Sequence, residues 1–190
     1  GEEAFYHCSL SSIIIPSSVV AIGDYAFADC VELTSVTIPA SVTLFGKYVF
    51  LNCNHLTEVY ISSGITTIGD GAFSGCSSLA SITIPASVTT IGDDAFARCY
   101  NLASITIPAS VTTIGGYVFT NCKNLTSVTI PSGVTAIEDG AFSGCQSLTS
   151  ITLPSGLTSI GDCAFANCFE LSSITIPSGV TTIGQDAFEC

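Results

Sequence analysis

Apolar residues recur along this chain with a period of 23 residues, which is far longer than the period of a helix or a strand. Phe opens each repeat, Cys follows three residues later, and Leu follows three residues after that. The phenylalanines are Phe5, Phe27, Phe50, Phe73, Phe96, Phe119, Phe142, Phe165 and Phe188. The cysteines are Cys8, Cys30, Cys53, Cys76, Cys99, Cys122, Cys145 and Cys168. Self-similarity at a fixed period indicates a stack of equivalent structural units.

Each repeat contains two segments with the pattern of a short strand. Residues 148–154, Leu-Thr-Ser-Ile-Thr-Leu-Pro, alternate apolar and β-branched polar residues, which predicts a half-buried strand. Proline ends this segment because it has no N–H to donate to a ladder, and only Ser62 replaces it. The Val-Thr-Thr-Ile-Gly segments at 88–92 and 111–115 predict a second, shorter strand.

A glycine and an aspartate then precede the Phe of the next repeat. An aspartate before a short apolar segment is typical of a helix N-cap, and Ala26, Phe27 and Cys30 have helical spacing. The pattern therefore predicts one helical turn per repeat, capped by its own aspartate. Glu138 replaces the glycine once, which argues that this position does not require a positive φ. The aspartates are Asp24, Asp70, Asp93, Asp139 and Asp162.

A calcium site between neighbouring aspartates is an alternative reading of that column. Calcium takes six to eight oxygen ligands, whereas the column supplies one carboxylate per repeat. Lys47, Gly116 and Gln185 interrupt it. Helix capping explains the aspartates better.

One repeat cannot bury its apolar residues alone, so neighbouring repeats must stack in register. Residues 1–190 are therefore predicted to form a single leucine-rich repeat solenoid of about eight coils with both ends uncapped. Open ends also suggest an alternative function, in which chains stack head to tail into a filament.

Residues 81–99, Ser-Ile-Thr-Ile-Pro-Ala-Ser-Val-Thr-Thr-Ile-Gly-Asp-Asp-Ala-Phe-Ala-Arg-Cys, resemble the BspA-like leucine-rich repeat family, and the resemblance covers almost the whole chain. The resemblance implies a right-handed solenoid with a parallel β-sheet on the concave face and short second strands and single helical turns elsewhere. It also implies a non-enzymatic protein-binding or adhesion module of a cell-surface or secreted protein. The implied location is extracellular or on the cell surface, and the implied partner is a host or cell-surface protein.

Small hydroxylated residues point outward along the predicted concave face, and the pattern breaks only at Ile14, Glu58 and Tyr60. The candidate partner-binding residues are Glu58, Tyr60, Thr83, Thr106, Thr129 and Thr152. Because aromatic residues are enriched at binding hot spots, the remaining tyrosines are further candidates. These are Tyr6, Tyr25, Tyr48, Tyr100 and Tyr117. Uniform Ser and Thr rows also suit a solvated sheet with no ligand, and ice binding is a narrower alternative that curvature disfavours.

Eight of the ten cysteines occupy one equivalent position, so they are predicted to form an interior column of free thiols. Cys163 and Cys190 lie outside it, and a disulfide between them is an alternative that would be stretched. His7 and His55 do not complete a four-ligand metal set, and no nucleophile or phosphate-loop motif is present. The sequence therefore predicts a protein that is not an enzyme and carries neither metal nor cofactor.

Charge and hydropathy exclude two classes of partner. The chain has 15 acidic and 3 basic residues and a net charge of −12, which argues against nucleic acids and anionic membranes. No segment approaches the roughly 20 apolar residues of a membrane helix. Asn124 begins an Asn-Leu-Thr triplet, which is a glycosylation acceptor only in a secreting eukaryote.

Overall fold

The computed structural model describes residues 1–190 as a β-solenoid of about seven turns, built from parallel strands without any helix. It contains no helix that could cross a lipid bilayer. Both predicted strand segments are confirmed. The long strands are β2 (Ser35–Ile38), β4 (Glu58–Ile61), β6 (Ser81–Thr83), β8 (Ser104–Thr106), β10 (Ser127–Thr129) and β12 (Ser150–Thr152). The short strands are β1 (Ala21–Ile22), β3 (Leu44–Phe45), β5 (Thr67–Ile68), β7 (Thr90–Ile91), β9 (Thr113–Ile114), β11 (Ala136–Ile137), β13 (Ser159–Ile160) and β14 (Thr182–Ile183).

Each strand pairs in parallel with the equivalent strand of at least one adjacent coil. In the long strands, Val36 lies opposite Val59 and Ile82 lies opposite Ile105. In the short strands, Ile68 lies opposite Ile91. The long strands form one sheet in the order β12-β10-β8-β6 and a second sheet of β2 and β4. Residues that are one repeat apart in the sequence therefore lie beside each other in adjacent coils.

The phenylalanine column forms a continuous stack through the core. Successive rings are nearly parallel, and their centroids are 5.1–5.7 Å apart from Phe5 to Phe188. Phe50 to Phe165 are the largest fully buried side chains of the protein. This separation matches offset-stacked aromatic pairs, which gain stability beyond the area that they bury. The predicted in-register columns are thus confirmed.

The segment between Gly and Cys is not a helical turn, in contrast to the prediction. In the first complete coil, the N–H groups of Ala26 and Cys30 donate to carbonyls three residues earlier, at 3.3 and 3.2 Å. Tyr25 and Asp29 have φ of 54° and 57°. A positive φ at the third residue of such a turn defines type II. Two type II turns therefore replace the helical turn.

Hydrogen bonds to the next coil explain why this segment forms turns and not a helical turn. Phe27 and Asp29 donate their N–H groups to Val49 and Leu51 of the following coil, at 2.9 and 2.7 Å. A helical turn would direct these N–H groups along its own axis. The same bonds recur along the stack, so the turn segments form an inter-coil ladder of their own.

The aspartates also bridge coils, and their predicted role as caps of their own turns is wrong. The Oδ1 atom of Asp24 accepts a hydrogen bond from the N–H of Lys47 at 2.8 Å. Asp93 accepts from Gly116 at 2.8 Å in the same way. Each carboxylate thus satisfies a backbone donor one coil further along.

The glycine before each aspartate is required by close packing between coils. None of these glycines has a positive φ, as the sequence indicated. A Cβ on Gly115 would lie 2.4 Å from Oδ1 of Asp93 and 2.5 Å from its backbone nitrogen. Glu138 is the one exception in the column, and the preceding coil has Gly116 where five other coils have aspartate. The Cβ of Glu138 thus lies near Gly116, at 3.9 Å from the position of a Cβ there.

Candidate partner-binding face

The outward residues of the long strands form a face that we call the strand face. Its first row runs through the six long strands at the position of Tyr60 and Thr83. Pairing places Tyr60 beside Thr37, Thr83 beside Thr106, and Thr129 beside Thr152. All these side chains except that of Tyr60 are threonines. Strand spacing separates neighbouring members by about 4.8 Å.

The second row of the strand face contains its one charged residue. Glu58 lies beside Ser35, and serines occupy this row in every other long strand. Tyr60 is 61% exposed and lies two residues from Glu58 on the same strand. All six predicted site residues are exposed on this one face. The structure therefore brings them together as one surface.

The threonine hydroxyls of the first row are not engaged within the protein. Thr83, Thr106, Thr129 and Thr152 make no side-chain hydrogen bond within the protein. By contrast, the threonines just before the long strands are used between coils. The hydroxyl of Thr149, for example, donates to the carbonyl of Thr126 at 3.1 Å. The first outward row therefore offers donors and acceptors that are not engaged within the protein.

The sheet under the strand face is interrupted between β4 and β6. These strands are adjacent, yet no ladder joins them. A cleft of about 410 Å³ opens there, lined by residues 57–62 and 81–83. Ser62 donates its N–H to Ile38 at 3.0 Å, which the proline of other repeats could not do. This bond lengthens the pairing between β4 and β2 by one residue.

A second cleft of about 300 Å³ lies between β12 and residues 173–175. It has the same position relative to its strands as the first cleft. Its outward lining consists of serines and threonines without any charged or aromatic side chain.

The other tyrosines belong to the turn segments and not to the strand face. Tyr25 stacks on Tyr48 with ring centroids 5.0 Å apart. The ring of Tyr48 then lies over Gly71, where a Cβ would be 2.2 Å from its Cδ1. Lys123 lies over the ring of Tyr100, 5.2 Å from its centroid. These tyrosines are engaged with neighbouring coils and are not brought together with Tyr60.

Seven of the eight thiols of the predicted interior column are buried, and Cys8 in the first coil is half-buried. The Sγ atoms of Cys53, Cys99 and Cys145 donate to phenylalanine carbonyls of the preceding coil at 3.2 Å. Burial raises the pKa of Cys53, Cys99 and Cys168 to about 12. All ten cysteines are free thiols, including Cys163 and Cys190.

Alkylation should separate these thiols into two classes. At pH 8 a thiol with a pKa of about 12 is ionised in about one molecule in ten thousand, and it is also sterically shielded. Iodoacetamide should therefore label only Cys8, Cys163 and Cys190 in the folded protein. Mass spectrometry of native and denatured samples measures this difference. Labelling of Cys99 under native conditions would contradict the predicted burial.

The histidines do not assemble a metal site. Nδ1 of His55 is 2.7 Å from the carbonyl oxygen of Val31, and Nε2 of His7 is 3.7 Å from Asp29. No cluster of three or more histidine, cysteine, aspartate or glutamate side chains has the geometry to hold a metal ion.

Comparison with known proteins identifies the family. A family model described as BspA type leucine-rich repeat region matches residues 1–126 and 112–190, with six copies. A search of curated protein sequences finds no match. The crystal structure of the T. pallidum leucine-rich repeat protein is 34% identical, with a TM-score of 0.80. That alignment covers 85% of this chain and 78% of the other.

Two further crystal structures share the fold. A leucine-rich cell surface protein from Faecalibacterium prausnitzii is 29% identical, with a TM-score of 0.52, over 98% of this chain and 72% of its own. The pneumococcal vaccine antigen PcpA is 23% identical, with a TM-score of 0.69, over 96% of this chain and 55% of its own. At this identity PcpA shows the fold alone. The family model matches along the whole length of the chain, and the chain belongs to the BspA-type leucine-rich repeat family.

Proposed function

We propose that residues 1–190 act as one non-enzymatic module that binds a protein partner through the strand face. The observation that carries this proposal is the row of unengaged hydroxyls from Thr83 to Thr152, with exposed Tyr60 and Glu58 on the adjacent strand β4. Solenoids present such extended surfaces on a rigid scaffold, so little order has to be gained on binding. The printed name of one structural neighbour, a leucine-rich cell surface protein, supports an extracellular or surface location.

The residues of the strand face have different roles in this proposal. Tyr60 supplies the aromatic anchor, because exposed tyrosines contribute large contact areas at hot spots. The threonines at 83, 106, 129 and 152 supply polar contacts around it. Glu58 adds the one charge that can select a partner by sign.

The test compares two exposed threonines on different strands. Thr106 lies on the strand face and Thr113 lies on the short strand β9. Binding of labelled protein to fixed epithelial cells, measured by flow cytometry, should be saturable. Thr106→Lys should weaken it about tenfold, since a buried unpaired charge costs more than 1.4 kcal/mol, whereas Thr113→Lys should not. Equal binding by both variants, or no saturable binding, would reject the proposal.

A second candidate function is head-to-tail assembly through the two end faces. At the first coil an apolar cavity of about 230 Å³ is lined by residues including Phe5, Ile13 and Val19. At the last coil Ile176 and Ile183 are partly exposed. A contact between unlike end faces does not close on itself and produces a filament. Sedimentation that does not change with concentration would exclude this function.

A further inference from the structure

The cleft between β4 and β6 offers backbone groups that the sheet does not use. Between β2 and β4, and from β6 through β8 and β10 to β12, the N–H and C=O groups of neighbouring coils pair with each other. Across this break, the facing groups of residues 58–61 and 81–83 form no ladder. Carbonyl oxygens in such a cleft are acceptors for a ligand that brings its own donors.

The negative charge of Glu58 at the cleft selects for a ligand that is positively charged. Glu58 lines it and is the one charged residue of the strand face. The three basic residues of the chain lie in turn segments, and Lys47 is already paired with Asp70 at 2.7 Å. No cation of the protein therefore neutralises Glu58, and the surrounding net charge of −12 favours a cationic ligand.

Tyr60 further restricts which cationic group can bind in the cleft. Its ring is exposed and lines the same cleft as Glu58. A guanidinium group is planar, stacks on aromatic rings and donates to a carboxylate through two parallel N–H groups. An ammonium group is a compact point charge and gains less from this geometry.

The second cleft serves as an internal comparison. It has a similar opening, between β12 and residues 173–175, but Ser150 and Thr152 stand where the first cleft has Glu58 and Tyr60. The two clefts therefore differ in the two side chains that would recognise a cation.

We propose that the cleft between β4 and β6 binds an arginine side chain of the partner protein, with Glu58 accepting from the guanidinium and Tyr60 stacking on it. This inference rests on the proposed function, because it assigns the chemical class of the ligand at that face. Backbone carbonyls of the break accept the remaining guanidinium N–H groups.

The experiment is an NMR titration of the ¹⁵N-labelled full chain with acetyl-Gly-Arg-Gly-amide. The control peptides carry citrulline, which has nearly the same shape without charge, lysine or glutamate in place of arginine. Amide signals of residues 57–62 and 81–83 should shift and saturate with arginine. Lysine should bind several-fold more weakly, and citrulline and glutamate should not bind. Equal shifts with citrulline would overturn the inference.

Two variants assign the binding to the named side chains. Glu58→Ser with Tyr60→Thr installs the residues of the next four long strands, so the chain should fold, and its binding of arginine should fall at least tenfold. Adding Ser150→Glu and Thr152→Tyr to that variant should move the shifts to the second cleft. Unchanged binding by the first variant, or no binding by the second, would overturn the inference.

The two proposals can fail separately. Peptide binding without any saturable cell binding would reject the protein-binding function of the strand face. Cell binding that depends on Thr106, without arginine binding at the cleft, would reject only the ligand assigned to the cleft.

Discussion

Phe96→Ala is expected to destabilise the solenoid by about 3–5 kcal/mol, the range for removing a fully buried phenylalanine. The ring of Phe96 is fully buried between those of Phe73 and Phe119, at centroid distances of 5.5 and 5.7 Å. Its removal leaves a cavity in the middle of the stack and ends both ring contacts. Because each coil contacts only its neighbours, the loss cannot be shared with distant coils. Urea denaturation followed by circular dichroism measures the change.

Phe5→Ala is the matched control for this prediction. Phe5 belongs to the same column, but it is 38% exposed and stacks on Phe27 alone. Its replacement should cost about 1–2 kcal/mol, since part of the side chain already contacts solvent. Equal losses for the two variants would show that the interior stack does not carry the stability assigned to it.

Gly115→Ala is expected to destabilise the protein by about 1–3 kcal/mol, as overpacking of a tight contact does. The added Cβ would lie 2.5 Å from the backbone nitrogen of Asp93 and 2.6 Å from the carbonyl carbon of Gly92. Backbone atoms held by inter-coil hydrogen bonds cannot move aside as a flexible side chain can. The two coils must therefore separate locally, which also stretches the bond between Asp93 and Gly116. Thermal and urea unfolding measure the loss.

Two variants test the reason for this effect. A Cβ on Gly156 would have only one atom within 4 Å, at 3.8 Å, so Gly156→Ala should change stability by less than about 0.5 kcal/mol. Asp93→Gly combined with Gly115→Ala places a glycine opposite the added Cβ, as Gly116 lies opposite Glu138, and should recover part of the loss. A Gly115→Ala variant as stable as Gly156→Ala would contradict the close approach between coils.

The sequence was sufficient to predict the columns because period and burial are coupled in a stack. Phe, Cys and Leu recur at one spacing, and a side chain that repeats at that spacing must meet its counterpart. The same argument placed Tyr60 and Thr83 in one exposed row. Alternation along the long strands determined which residues face outward.

The turn segments were predicted wrongly because a single repeat mimics a helical turn. Ala26, Phe27 and Cys30 have helical spacing. The N–H of Phe27, however, donates to Val49 of the next coil and not to its own turn. Other repeats do carry a sequence signal for the two turns. Gly71 and Gly75 occupy the two positions that need positive φ, as do Gly140 and Gly144. Asn at 52, 121 and 167, a residue that tolerates this conformation, pointed the same way.

The cleft depends on pairing among three successive coils, which no local pattern encodes. Ser62 was recognisable as the exception in the proline column, and Glu58 and Tyr60 as exceptions among the hydroxyl rows. That β4 pairs with β2 but not with β6 has no local signal, because β8 and β10 pair with a neighbour on both edges. The aspartate bridges could not be predicted for the same reason, since their acceptor role joins different coils.

Removal of one whole repeat tests the in-register stack most directly. Deleting residues 93–115 joins Gly92 to Gly116 and places Phe119 on Phe73, so every column stays continuous. The shortened chain should retain its β-sheet circular dichroism per residue and unfold cooperatively. Deleting residues 93–104 removes about half a coil, shifts all later residues out of register and should give an unfolded or aggregated protein. Folding of both deletions to the same extent, or of neither, would contradict the stack.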